Sequence, residues 1–509
     1  MRKIFFHIGS RMNFKNYIFD GLIVLTVILG LIAFYLLHYK EQAIDPVPGN
    51  DVNKPAAVIE TENKTGGYDA YKNRVSIDLL KIEPRIILRL HGSNTIGGKL
   101  IPAMAASFLQ QLGAEATITK PLKQLNESQV IGYLPHLNEV VAIEIKAHGS
   151  STGFKSLINQ TADIAMSSRP IKHEENLKLI IENGDMTKPE SEHIVALDGL
   201  AIVVHPDNPL QNITVNQLAE IFSGKITDWS QLQGEAGTIN LYARDNQSGT
   251  FDTFKTLILE KFKLDLAKSQ RFESNAELVN AVRNDRSGIG FSGLAYAAND
   301  MILRVAADTG LPAIIPNQFT ISSEDYPLSR RLYLYTNKNK TTNPYLIDFI
   351  NYSVSGAGQQ LAEKENFIAQ KITTQLPNDI SEFPSEYQKM IKHAERLSMT
   401  FRMRADRAEI DNKSAQDIEN LVAFLSTQTY EKIRLIGFSA GESNDEVMDR
   451  NRALLRSKLL ALELKQRGVR NVEVAAFGEQ MPIDSNNDSH GVYRNNRTEV
   501  WLVKPEESS

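Results

Sequence analysis

Four short segments carry residue types suited to holding a small anion without covalent work. They are His91-Gly-Ser-Asn-Thr95, His148-Gly-Ser-Ser-Thr-Gly153, Ser167-Ser168-Arg169 and Arg244-Asp-Asn-Gln-Ser-Gly-Thr250. Glycine lets the backbone approach a ligand closely, Ser and Thr hydroxyls donate over short distances, and a helix start presents unpaired N–H groups. Arg244 adds a fork of donors that matches an oxyanion. A second chemistry is spelled by the same residues, because Gly149-x-Ser151-x-Gly153 fits a serine nucleophile elbow. A hydrolase would then need an acid followed by a histidine. His193, His205, His393 and His490 lie downstream, but none falls in a loop that returns to the elbow. A phosphate loop of the G-x-x-x-x-G-K-[ST] type fails at Gly98, and the ten histidines show no metal-ligand spacing. The reading is of a binder, not an enzyme, and it requires no cofactor or metal.

The elements that must position these turns alternate between strand and helix. Arg85–Leu90 is an apolar strand that enters the first turn, with a helical stripe at Ile101, Met104 and Phe108 behind it. Val141, Ile143 and Ile145 lead to the second turn, Asp163–Met166 to the third and Thr238–Ala243 to the fourth. Thr214-x-x-Gln217 and Ser274-x-x-Glu277 mark helix starts, and Gly224 a helix stop. The segment is α/β.

The chain has 509 residues, enough for about three domains at roughly 150 residues each. Its net charge of −5 offers no basic field for nucleic acid, and zero cysteines exclude disulfides, zinc-thiolate sites and thiol catalysis. Residues 17–38 include an uncharged apolar run, preceded by Arg2, Lys3, Arg11 and Lys15 and followed by Lys40 alone. That pattern predicts one transmembrane helix with residues 1–16 in the cytoplasm and the remainder exported. Residues 39–84 are rich in Pro and Gly without periodicity and read as a flexible linker.

From residue 85 to 372 the chain resembles the periplasmic phosphate-binding proteins of ABC transporters. The resemblance rests on GSNTIGG (92–98), AHGSSTGFKSLI (147–158), ADIAMSSRPI (162–171), LDGLAIVVHPDNPL (197–210), LAEIFSGKITDW (218–229) and RDNQSGTFDTF (244–254), with a closing segment at 353–360. It implies a two-lobed α/β fold with the ligand between the lobes. Matching position by position, it implies ligand contacts from Thr95, Ile96, Ser150, Ser168, Arg244, Asn246, Ser248, Gly249 and Thr250. Ser168 and Asn246 stand where that family usually places acidic residues, which admits sulfate-like anions and ligand carboxylates beside phosphate.

Residues 373–395 read as a second linker, and 396–505 as a separate α+β domain. Leu397, Met399, Phe401 and Met403 alternate as a strand; Ile418, Leu421, Val422 and Leu425 form a helical stripe. Lys432–Phe438 and Val472–Phe477 are further strands, and Leu455, Leu459 and Leu462 mark a long helix. The domain resembles the OmpA-like peptidoglycan-binding domains through IDNKSAQDI (410–418), the helix at 449–469, FGEQMP (477–482) and RNNRTEVWL (494–502). The resemblance implies wall-peptide contacts from Arg456 and Arg497. The family's aspartate position holds Ala440, with Glu442 and Asp445 as nearby carboxylates. The combined expectation is an inner-membrane, periplasm-facing receptor whose partners are a small oxyanion, peptidoglycan and an ABC permease or sensor. The alternative is a structural link from membrane to wall with the middle domain as spacer.

Overall fold

The computed structural model describes residue 79 and residues 81–505, apart from 233–235, 247, 337–341, 378–379, 382, 404–409 and 442–444. The expected membrane span and most of the first linker fall outside the described residues. Among the described residues no helix is long and apolar enough to cross a membrane.

Twelve strands build the first part: β1 (Arg85–Gly92), β2 (Thr117–Pro121), β3 (Glu127–Leu134), β4 (Glu139–Ala147), β5 (Ile164–Ser167), β6 (Glu192–Val204), β7 (Asn212–Thr214), β8 (Asn240–Arg244), β9 (Gln270–Phe272), β10 (Gly288–Gly293), β11 (Arg304–Ala306) and β12 (Ser329–Thr336). Ten of them form one sheet in the order β2-β3-β4-β1-β5-β12-β6-β10-β8-β9, while β7 and β11 pair separately. Strands β4, β1 and β5 run parallel, as do β10, β8 and β9, whereas β12 runs antiparallel to both β5 and β6. Parallel strands bury both faces, which is why β1 and β5 read as near-continuous apolar runs. Helix boundaries follow their caps. Thr214 and Gln217 bond reciprocally at the start of helix Val215–Phe222, and Gly224 beyond its end takes φ +78°.

Two separate apolar cores divide this sheet into lobes. Leu88, Leu90, Met104, Phe108, Ile143, Val195, Ala196, Leu332 and Leu334 belong to the first. Leu197, Leu200, Phe222, Phe254, Phe291, Tyr326 and Leu328 belong to the second. The change of core falls within β6, between Ala196 and Leu197, and at β12, between Leu328 and Leu332. Two strands therefore cross from lobe to lobe and form the hinge.

The C-terminal part is a five-stranded sheet, β13 (Thr374–Gln375), β14 (Ala394–Arg402), β15 (Lys432–Gly437), β16 (Val472–Ala476) and β17 (Arg497–Val503), ordered β13-β14-β17-β15-β16. Helices Asn412–Ser426 and Glu446–Gln466 cover one face with Ile418, Leu421, Leu460 and Leu464. One expectation is corrected, and the inward face of one helix is added. Residues 373–395 are not a free connector: β13 pairs with β14, and helix Ser385–Ile391 buries Tyr387 and Ile391 against Phe438, Phe477 and Trp501. The long helix exists, but Leu455, Leu459 and Leu462 are 59%, 43% and 54% exposed. Its inner face is Ala453, Ser457, Leu460, Ala461 and Leu464. The helix lies so near β15 that a Cβ on Gly437 would stand 2.4 Å from Ser457 Oγ and 2.6 Å from Ala453 O. Only small residues fit that approach at Ala453 and Ser457, while Leu460 and Leu464 enter the core farther along the helix.

Candidate functional site

The parallel arrangement brings the carboxyl ends of β4, β1 and β5 side by side, and a turn leaves each. Ser93 N donates to Met166 O at 2.9 Å and Gly149 N to Gly92 O at 2.8 Å, tying the three turns together. Gly92 has φ +139°, and a Cβ there would lie 2.1 Å from Met166 O, so only glycine fits. From the other lobe β8 ends at Arg244 and leads to the helical run that starts at Gly249, capped by Ser248 Oγ, which accepts from Thr250 N and Phe251 N. Thr95, Arg244, Ser248, Gly249 and Thr250 line one cleft of about 460 Å³.

The cleft is closed by direct contact between the lobes. A Cβ on Gly249 would fall 1.9 Å from Thr95 Oγ1, which leaves room for hydrogen alone. Arg330, on β12 at the hinge, donates from Nη1 to Gly249 O at 3.0 Å and from Nη2 to Thr95 Oγ1 at 2.9 Å. Its charge is balanced by Asp198 on β6, 2.7 Å away. One buried guanidinium thus holds a loop from each lobe. Thr95 Oγ1, accepting from Arg330, keeps its own hydrogen to donate into the cleft. At the rim Lys99 Nζ of the first lobe bonds Tyr296 Oη of the second.

Arg244 is 9% exposed and donates from Nε to Phe272 O at 3.2 Å and from Nη2 to Glu273 O at 2.6 Å. These carbonyls fix the plane of the guanidinium without neutralising it. Burial lowers its pKa from the ordinary value, and the charges of Asp245, Tyr296 and Glu273 pull the other way. A buried cation so placed is stabilised by an anion.

The other expected residues do not line this cleft with their side chains, and the contact expected of Ile96 is its backbone N–H. Ile96 is fully buried in the first core and anchors the Thr95 turn. Ser150 and Ser168 are buried together, Ser150 Oγ accepting from Ser168 N at 3.1 Å and lying 3.4 Å from Ser168 Oγ. Asn246 is not brought to the cleft: its exposed side chain accepts from Arg271 Nη2 at 2.6 Å beside a separate groove. Ser151 is exposed at the first turn of helix Ser150–Ile158 and accepts from Arg169 Nη2 at 2.9 Å, a partner that cannot act as a base. His91 is a buried strut between Ser156 Oγ and Glu144. Sequence reasoning missed Arg330 and Asp198. Asp198 lay within a quoted motif, and the adjacent Arg330 and Arg331 in an apolar strand were the available signal, since alternation sends one to each face.

In the C-terminal part Arg456 donates from Nη2 to Phe438 O at 3.2 Å and to Asn496 Oδ1 at 2.8 Å, and Asn496 also accepts from Ala440 N. Arg456 therefore lies beside the Ala440 turn. Arg497 is interior: it pairs with Glu499, donates to Met481 O and stacks on Phe438 with its guanidinium 3.9 Å from the ring centre. Asp445 is spent as the cap of helix Glu446–Gln466, accepting from Val447 N and Met448 N, and Glu442 falls outside the described residues.

Comparison with known proteins matches residues 133–357 to a PBP superfamily domain. The phosphate-binding protein PstS of Borreliella burgdorferi is 32% identical over 241 residues, which cover 46% of this chain and 82% of that protein. PstS of Pseudomonas aeruginosa PAO1 is 33% identical over 246 residues, covering 45% and 74%. The solved PstS structure from Borrelia burgdorferi aligns with a TM-score of 0.41 at 26% identity, covering 56% of this chain and 98% of that one.

Proposed function

The chain belongs to the PstS-like phosphate-binding proteins of the PBP superfamily, and from that premise we propose that it is a membrane-anchored periplasmic receptor for phosphate or a similar oxyanion. The reading is carried by one observation: the Thr95 turn, the buried Arg244 and the capped helix start at Ser248–Thr250 converge on one cleft from two lobes. Arg244 supplies the charge, Thr95 and the Ser248–Thr250 turn supply donors, and the lobes exclude water, which strengthens each bond. Ser168 and Asn246 stand where the family usually places acidic residues, so sulfate is admitted beside phosphate. The cleft binds and releases; among the described residues, the candidate nucleophile Ser151 faces Arg169 rather than a base.

The apolar run at 17–38 and its flanking charges support an inner-membrane anchor with the remainder in the periplasm. An ABC permease or a sensor is then the natural recipient of the anion. Arg456 beside the Ala440 turn supports a peptidoglycan contact through an OmpA-like C-terminal domain. Titration calorimetry of the full chain with phosphate and sulfate, with Arg244→Ala as control, tests the central reading. Heat lost in the variant is expected. No heat with either anion from the unaltered chain moves the assignment to the membrane-to-wall link with the middle domain as spacer.

A further inference from the structure

Arg330 and Arg331 are neighbours on a hinge strand, and the pleat sends their side chains to opposite faces. Arg330 reaches the two loops of the cleft. Arg331 reaches away from it, pairing with Glu324 of the second lobe and, at 2.7 Å, with Asp411 of the C-terminal domain. That domain is thus seated behind the hinge, on the side opposite the cleft.

It holds both lobes there. On the first lobe, Asn412 Nδ2 donates to Thr187 O at 3.0 Å and to Glu192 Oε1 at 2.8 Å. On the second, Arg402 donates to Glu324 Oε2 at 2.8 Å and Arg494 to Asp325 O at 2.7 Å, while Arg396 pairs with Asp325 at 2.6 Å. Farther from the hinge, Lys261 of the second lobe meets Asp488 at 3.1 Å. Arg331, Arg402, Arg494 and Asp411 are buried or nearly so. Removing one partner of a pair withdrawn from water strands the other, so substitutions here act on the seating of the domain.

We propose that the C-terminal domain is a wedge that governs opening of the anion cleft. Two lobes that swing apart in front of a hinge must approach behind it, and a rigid domain touching both prevents that unless it slides or undocks. Anion exchange and release of this domain from at least one lobe are then a single event. Any force or partner acting on the C-terminal domain sets the rate at which the cleft opens, and the anion in turn favours the seated domain. The proposal uses the cleft reading for the identity of the anion only; the mechanical link stands without it.

The cysteine-free chain allows a direct test. Spin labels at Gln110→Cys in the first lobe and Lys225→Cys in the second, both exposed positions, report the interlobe distance in the full-length protein by electron double resonance. Without added anion the unaltered seat should give one narrow distribution. Asn412→Ala combined with Lys261→Ala, and separately Arg331→Met, should broaden it toward longer distances, and phosphate should narrow it again with dissociation at least tenfold faster than in the unaltered protein. Distributions that coincide between the unaltered protein and both variants, narrow or broad, overturn the wedge. A broadened variant that phosphate fails to narrow leaves the wedge standing and counts against phosphate as the ligand.

Discussion

In the proposed reading Arg244 concentrates the binding chemistry of the cleft, because two carbonyls orient its buried guanidinium. A hydrogen bond to a charged group contributes about 1.5–3 kcal/mol, and each 1.4 kcal/mol is tenfold in affinity. Arg244→Ala should therefore weaken phosphate binding by about 100-fold while leaving thermal unfolding little changed; equal affinities by calorimetry would remove Arg244 from the site. Gly249 tests closure rather than charge. Its alanine variant places a methyl 1.9 Å from Thr95 Oγ1, so the loops must part and affinity should fall although no donor is lost. Much of this cleft was legible in residue types, since Gly-Ser-Thr turns after strands announce anion binding on chemical grounds. Arg330 was not, because a guanidinium in a strand says nothing of what it will meet more than two hundred residues away. Asn246 shows the converse error: a motif position fixes the backbone, but the side chain found Arg271.

Among elements, β12 carries the most consequence, since it crosses the hinge and faces the cleft on one side and the C-terminal domain on the other. Burial alone would raise the carboxyl pKa of Glu324, yet the charges of Arg331 and Arg402 hold it far below the usual range. Asp325 beside Arg396 and Asp411 beside Arg331 are lowered for the same reason. Folded-state values below the unfolded ones mean that the unfolded chain binds more protons in acid. These pairs therefore stabilise the junction fully above about pH 4, the ordinary carboxyl range, and lose that contribution as pH falls through the depressed values. Hydrogen-exchange protection factors at 411–418 and 489–497 should stay high at neutral pH and fall only in acid below that range; a fall already near pH 6 would contradict the assignment. Asp411→Ala should cost about 2–4 kcal/mol by chemical denaturation, since it removes the cap of helix Asn412–Ser426 and one partner of Arg331, which keeps Glu324. Strands and capped helices were legible because alternation and capping residues are local. Which face of helix Glu446–Gln466 turns inward was not, because leucines occupy both faces and the choice belongs to Gly437 on another element.

At the scale of the whole molecule, the lobes, the hinge and the C-terminal domain read as a receptor whose opening is tied to a module outside it. If that module touches the cell wall, the full chain should pellet with purified peptidoglycan and Arg456→Ala should reduce the pelleted fraction; equal pelleting would remove Arg456 from the contact. Residues 373–395 were not legible, since a polar stretch with two prolines resembles a connector until its Tyr387 meets an aromatic core. The central claim, that an oxyanion sits between the lobes, is tested most directly by crystallising the full chain with arsenate, a tetrahedral phosphate analogue visible by anomalous scattering. The account predicts a single anomalous peak within hydrogen-bond distance of Arg244, Thr95 Oγ1 and the Ser248–Thr250 turn. A cleft without that peak at saturating arsenate, or a peak only elsewhere on the surface, would contradict it.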